Sequence, residues 1–90
     1  MKNGNYTILF SHQAVKDKIM IKNSNLDKIC RKILDSMIVD PFCYPPSYEK
    51  LYGDLECLYS KRINRQHRII YEVDEKHKEI HIIRMWTHYE

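Results

Sequence analysis

Two glycines and three prolines are all the chain contains, and no segment repeats at a fixed period, so collagen-like arrays and solenoids are excluded. No apolar run approaches the ~20 residues of a membrane span, and Met1 to Asn5 are polar, so neither a transmembrane helix nor a signal peptide is expected. Cysteine is scarce too. Cys30, Cys43 and Cys57 are odd in number and lack a C-x-x-C step, which argues against a disulfide framework or a zinc site and fits a reducing cytoplasm. His12 opens a helix, His77 lies in a charged turn and His81 lies mid-strand, so no metal site and no cofactor are expected. A strong charge of one sign is also missing. Fifteen Lys and Arg oppose 12 Asp and Glu, and a net +3 falls short of a cationic coat for nucleic acid. Any polyanion site must therefore be local.

What is present is a foldable composition, 43% hydrophobic and 30% charged over 90 residues, enough for a single domain (1–90) with one modest core. Tyr6 to Phe10 has the β-branched and aromatic character of a strand buried on both faces. Ser11 is an N-cap for a helix that runs to about Met20, with Ala14, Val15 and Ile19 on one stripe. After Asn23-Ser24-Asn25, with Ser24 as cap donor and Asp27 near the positive helix end, Leu26, Ile29, Cys30, Ile33, Met37 and Ile38 mark a stronger amphipathic helix. Asp40-Pro41 ends it. The aromatic, proline-containing stretch from Pro41 to Tyr48 is expected to pack on the domain. Leu55 to Ile63, His67 to Val73 and Glu79 to Trp86 then read as three strands joined by short connections, hence antiparallel hairpins. The order β-α-α-β-β-β predicts an α+β fold in which a helical hairpin covers one face of an antiparallel sheet and leaves the other face for solvent or a ligand.

Positive charge is concentrated at one hairpin. Lys61, Arg62, Arg65, His67 and Arg68 fall in sequence without an acidic residue among them, a cluster suited to phosphate, and Tyr59 and Tyr71 beside it suit base stacking. A strand edge kept soluble by charge accounts for the same residues. The chain closes on Trp86-Thr87-His88-Tyr89-Glu90, which sets a histidine and a tyrosine where most domains carry dispensable polar residues. Packing of Trp86 and Tyr89 against the sheet, with His88 exposed, is the plainer account. Glu49, between Tyr48 and Lys50 in the loop that leads into the sheet, is placed for partial desolvation beside cations. Together, Glu49, Arg68 and His88 would supply a base, a phosphate clamp and an acid, the parts needed to cleave RNA through its own 2′-hydroxyl.

Pro41-Phe42, Tyr48-Glu49-Lys50-Leu51, Gly53-Asp54-Leu55, Tyr59-Ser60-Lys61-Arg62-Ile63, Gln66-His67-Arg68-Ile69-Ile70-Tyr71 and His88-Tyr89, in that order, resemble the Txe/YoeB family of bacterial toxins within the RelE/ParE superfamily. The resemblance implies a toxin that enters the ribosomal A site and cuts mRNA, an endoribonuclease with Glu49 as base, Arg68 as phosphate-stabilising group, His88 as acid and Tyr89 positioning the substrate. Lys50 and, from the basic cluster and its aromatic neighbour, Tyr59, Lys61, Arg62, Arg65 and His67 are the residues expected to contact RNA or ribosome. The implied partners are an acidic YefM/Axe-like antitoxin, the ribosome and mRNA; a homodimer is allowed, and no membrane is involved. The chain departs from the family pattern at Cys43-Tyr44-Pro45-Pro46-Ser47, where a glycine-rich approach is usual, at Cys57 in place of Gly, and at Lys61 in place of Arg. A ParE-like gyrase inhibitor, which needs neither acid nor base, and a non-catalytic RNA-binding module stay open as alternatives on the same fold.

Overall fold

The first helix starts where a hydroxyl is available to start it. In a computed structural model of the chain, which describes residues 5–43, 48–51 and 58–85, Ser11 Oγ accepts the Ala14 backbone N–H at 3.0 Å and so caps helix α1, His12–Lys22. Ser24 shapes the corner that follows, donating to the Ile21 carbonyl at 2.8 Å and accepting from the Leu26 N–H at 3.1 Å. Helix α2, Asp27–Val39, then runs until Asp40, whose extended backbone ahead of Pro41 stops it. The Asp40 carboxylate takes up the Phe42 N–H at 2.9 Å, which folds the chain back onto the domain.

Five strands form among the described residues, one more than the sequence predicts. They are β1 Thr7–Phe10, β2 Tyr48–Lys50, β3 Tyr59–Arg62, β4 Arg68–Asp74 and β5 Glu79–Arg84, in the spatial order β1-β5-β4-β3-β2. The α+β class and the helical pair on the sheet are as the sequence predicts. The sheet is mixed, however, because β1 pairs with β5 in parallel while the other three pairings are antiparallel. Hairpin reasoning links only neighbours in sequence, and β1 meets a strand from the far end of the chain. The unexpected strand is β2, too short and too charged to stand out, which forms by pairing with β3. Because the helices cover only one face of the sheet, β1 is not buried on both: Ile8 and Phe10 turn toward the core and Thr7 and Leu9 are exposed.

Ala14, Ile21, Cys30, Ile33 and Met37 from the helices meet Ile69, Tyr71, Ile80 and Ile82 from the strands in one layer. The expected stripe of α1 is rotated: Ala14, Asp17 and Ile21 are inside, while Val15, Ile19 and Met20 are exposed, because the inward position after Ala14 is held by a carboxylate that an apolar stripe cannot reveal. On α2 the stripe holds for Cys30, Ile33 and Met37, and Ile29 is exposed. Burial, with Asp27 nearby, pushes the Cys30 thiol up to about 11, so it packs as an inert apolar group. Among the described residues no helix is long and apolar enough to cross a membrane.

Tyr71 joins the core to the chain after α2. Its buried hydroxyl donates to the Pro41 carbonyl at 2.7 Å, and burial is the main cause that raises its pKa. Tyr71→Phe leaves that buried carbonyl short of a donor, which should cost about 1–3 kcal/mol. Urea denaturation checks this, and a loss below about 0.5 kcal/mol would mean that water replaces the phenol freely.

Candidate functional site

Strand alternation decides which side chains can meet. Successive residues of a strand point to opposite faces, and directly paired residues share a face. Glu49 of β2 pairs with Ser60 of β3, Ser60 with Ile70 of β4, and Arg62 of β3 with Arg68 of β4. Glu49, Ser60, Arg62, Arg68 and Ile70 therefore share the face away from the helices. Glu49 and Arg68 lie two strands apart, roughly 10 Å at ordinary strand spacing, and only long side chains close that gap. They do so over the small Ser60: Arg68 Nη1 donates to Glu49 Oε1 at 2.9 Å.

The environment of this pair is uneven. The Arg68 side chain is 20% exposed and that of Glu49 63%. The desolvation expected at Glu49 from its aromatic neighbours is thus missing, since Tyr48 belongs to the opposite face; the neighbouring cation is present. Glu49 also sits on an edge strand and not in a loop. Arg62 is the direct cross-strand partner of Arg68, and like charges so paired cost stability in a free protein, a cost that an anion relieves. Arg65 is exposed in the turn at the end of the same hairpin. That turn is built by Asn64, whose side-chain oxygen accepts the N–H groups of Gln66 and His67, both at 2.8 Å.

Other sequence candidates are placed elsewhere. Lys61, expected at the RNA surface, is 0% exposed. It points to the helix side and donates from Nζ to the Cys43 carbonyl at 2.7 Å, and burial is the main reason its pKa is lowered. Alternation puts Arg62 outside and so puts Lys61 in. His67 is also buried, and its carbonyl accepts the Ile63 N–H that closes the turn. Tyr59 and Tyr71, expected to stack bases, join Phe42 and Tyr48 in an aromatic cluster on the core side, with ring centroids 4.9 to 5.9 Å apart. Lys50 is exposed but shares the face of its partner Tyr59, opposite to Glu49. Of the expected contact residues, Arg62 and Arg65 remain positioned to meet a ligand beside Glu49 and Arg68. His88 and Tyr89, like Tyr44 to Ser47 and Cys57, lie outside the described residues.

The far end of the open face has the opposite sign. His81 of β5 approaches Glu79 Oε1 with Nε2 at 3.0 Å and Glu72 Oε1 with Nδ1 at 3.2 Å. His77, four residues earlier, is bound to its own carboxylate, Asp74, at 2.8 Å, so the two imidazoles do not converge on a common point. Among the described residues no group of three or more His, Cys, Asp or Glu side chains is arranged to hold a metal ion.

The profile of the YoeB-like toxins of bacterial type II toxin-antitoxin systems matches residues 10–89. The chain therefore belongs to that family. No sequence among the curated proteins matches it. Among solved structures, it is similar to the YoeB-YefM complex from Staphylococcus aureus, with 32% identity and a TM-score of 0.79 over 93% of this chain and 98% of the other. The YoeB dimer from the same organism gives 31% and 0.81 over 94% and 99%. A YoeB/ParE toxin from Agrobacterium tumefaciens shares the fold, with a TM-score of 0.84 at 20% identity over 92% and 99%.

Two measurements test these placements. Neutralising Arg62 and Arg65 should weaken RNA binding and flatten its salt dependence by roughly 1–2 in log–log slope, whereas Lys61→Ala should lower stability and leave the affinity of the folded fraction unchanged. An affinity loss from Lys61→Ala without loss of stability would place that ammonium at the surface after all. The hydrogen bond to Glu79, and then that to Glu72, raise the His81 pKa above its ordinary 6.5. The stabilising pairing is then complete below about pH 6.5 and is lost as pH rises through the higher folded value. An NMR titration of His81 should give a midpoint above 6.5 that Glu79→Gln lowers; a midpoint at or below 6.5 would mean that the bridges do not form in solution.

Proposed function

We infer that this toxin is a ribosome-dependent endoribonuclease that cleaves mRNA in the A site. The observation that carries the reading is the contact between Glu49 and Arg68 on the helix-free face, with Arg62 directly opposite Arg68. In the free protein Arg68 is held by Glu49, an exposed pair worth about 0–1 kcal/mol at most and therefore easily parted. A phosphate entering between Arg62 and Arg68 competes for the guanidinium and frees the carboxylate for the 2′-hydroxyl. Glu49 then takes the hydroxyl proton, the 2′-oxygen bonds to phosphorus, the bond to the 5′-oxygen breaks, and His88 protonates that leaving oxygen. The products are a 2′,3′-cyclic phosphate and a 5′-hydroxyl. Acid and base each contribute about 10²–10⁴-fold, and Arg68 stabilises the charge that grows on the phosphoryl oxygens. Tyr89 orients the nucleotide. Docking on the ribosome supplies the desolvation that the exposed Glu49 lacks alone.

Control follows from the same face. The Staphylococcus relative was solved with YefM, and by likeness an acidic antitoxin that folds on binding covers Arg62 and Arg68 here. The action is then cytoplasmic, where ribosomes and mRNA are. The test is to supply programmed ribosomes with a defined mRNA and map the cleavage ends. Glu49→Gln, Arg68→Ala and His88→Ala should each reduce cleavage by about 10²-fold or more while the protein stays folded, since none is proposed for the core. Folded variants that cut as fast as the wild type, or growth arrest with intact mRNA, would end the nuclease reading.

A further inference from the structure

One buried hydroxyl serves no purpose in the fold. Ser60 on β3 is 2% exposed, and its Oγ finds no hydrogen-bond partner among the described residues. Strand alternation puts it on the face that carries Glu49 and Arg68. Glu49 on β2 and Ile70 on β4 are its direct cross-strand partners, and Arg62 follows it by two residues on the same face. The contact between Glu49 and Arg68 runs from β2 to β4 across β3, the strand to which Ser60 belongs.

Stability gives no reason for a serine here. A small residue lets two long side chains meet across β3, but alanine is as small and buries no donor. A hydroxyl shut away from water without an acceptor costs the folded state free energy, and an orphan of this kind calls for an explanation. Its surroundings offer one. A carboxylate and two guanidinium groups share its face, and a negatively charged ligand held by those guanidinium groups brings the acceptor that the free protein lacks.

We propose that Ser60 is a further substrate contact of this site: its hydroxyl donates to a non-bridging oxygen of the phosphate that parts Arg68 from Glu49. The assignment deepens the nuclease reading and rests on it. Arg68 and Ser60 then hold the phosphoryl group from adjoining strands, one through charge and one through a hydrogen bond to an anionic oxygen, stronger than a bond between neutral groups. That bond tightens as negative charge grows on the phosphoryl oxygens, so it favours the transition state over bound RNA. Ser60 takes up no proton and forms no covalent bond; Glu49 remains the base.

Ser60→Ala removes the donor and little else, and Ser60→Cys, close in shape but a weak donor, serves if the alanine variant fails to fold. The experiment measures the urea midpoint of the free toxin and single-turnover cleavage of a defined mRNA on programmed ribosomes across pH. For Ser60→Ala the expected result is an unchanged or higher midpoint, a rate at saturation lowered by about 10–100-fold, and an acid limb of the pH–rate profile that does not move. A phosphorothioate at the cut site, which accepts hydrogen bonds poorly, should slow the wild type by a larger factor than the variant in one of its two diastereomers. A displaced acid limb would assign the hydroxyl to Glu49 instead and overturn the proposal, as would equal phosphorothioate effects in both proteins. If the wild type cuts and folded Ser60→Ala cuts within about twofold of it, the Ser60 contact alone falls. If the wild type itself does not cut, the nuclease reading falls and takes this contact with it.

Discussion

A pleated strand sends alternate side chains to opposite faces, and in this protein helices cover only one of them. Everything else follows from that division. Ile69, Tyr71, Ile80 and Ile82 must turn toward α1 and α2 to make a core, which commits Arg68, Ile70, Glu72 and His81 to the other side. A slip of one residue in β4 would exchange the two sets, burying a guanidinium and exposing a tyrosine. The register that builds the core thus also builds the site, and mutations that preserve the apolar set preserve the geometry of Glu49 and Arg68 as a by-product.

The open face carries its charge in two blocks. Arg62, Arg65 and Arg68 gather toward one end, while Glu72 and Glu79 flank His81 at the other. The net +3 of the chain hides this separation. Any polyanion that approached this face would meet attraction at one end and repulsion at the other.

Much of this was legible in the sequence, in proportion to how local the cause is. Ser11 as cap, Asp40-Pro41 as helix stop, and a last strand from Glu79, expected to reach Trp86 and ending at Arg84, come from residues close to one another in the chain. The parallel seat of β1 and the strand at Tyr48–Lys50 depend on partners far along the chain, and no local pattern encodes them. The basic cluster shows the same limit more sharply. Five residues of one chemical kind read as one surface, yet alternation draws Lys61 inward to the Cys43 carbonyl, and His67 is buried as well. Chemistry and family likeness single out Glu49 and Arg68, and their contact across the intervening strand adds the geometry.

The parallel pairing of β1 with β5 carries a cost in time. Thr7 aligns with Glu79 and Phe10 with Ile82, so the contact closes a loop of most of the chain before it returns any hydrogen bond. The closure entropy grows only slowly with loop length, but native contacts of such long range slow folding, because they cannot form early and support later ones. On a chain emerging from a ribosome, the two helices and the β3–β4 hairpin can form first, while β1 waits as an unpaired strand for β5. A chain assembled in this order completes its sheet only once β5 is available to seat β1.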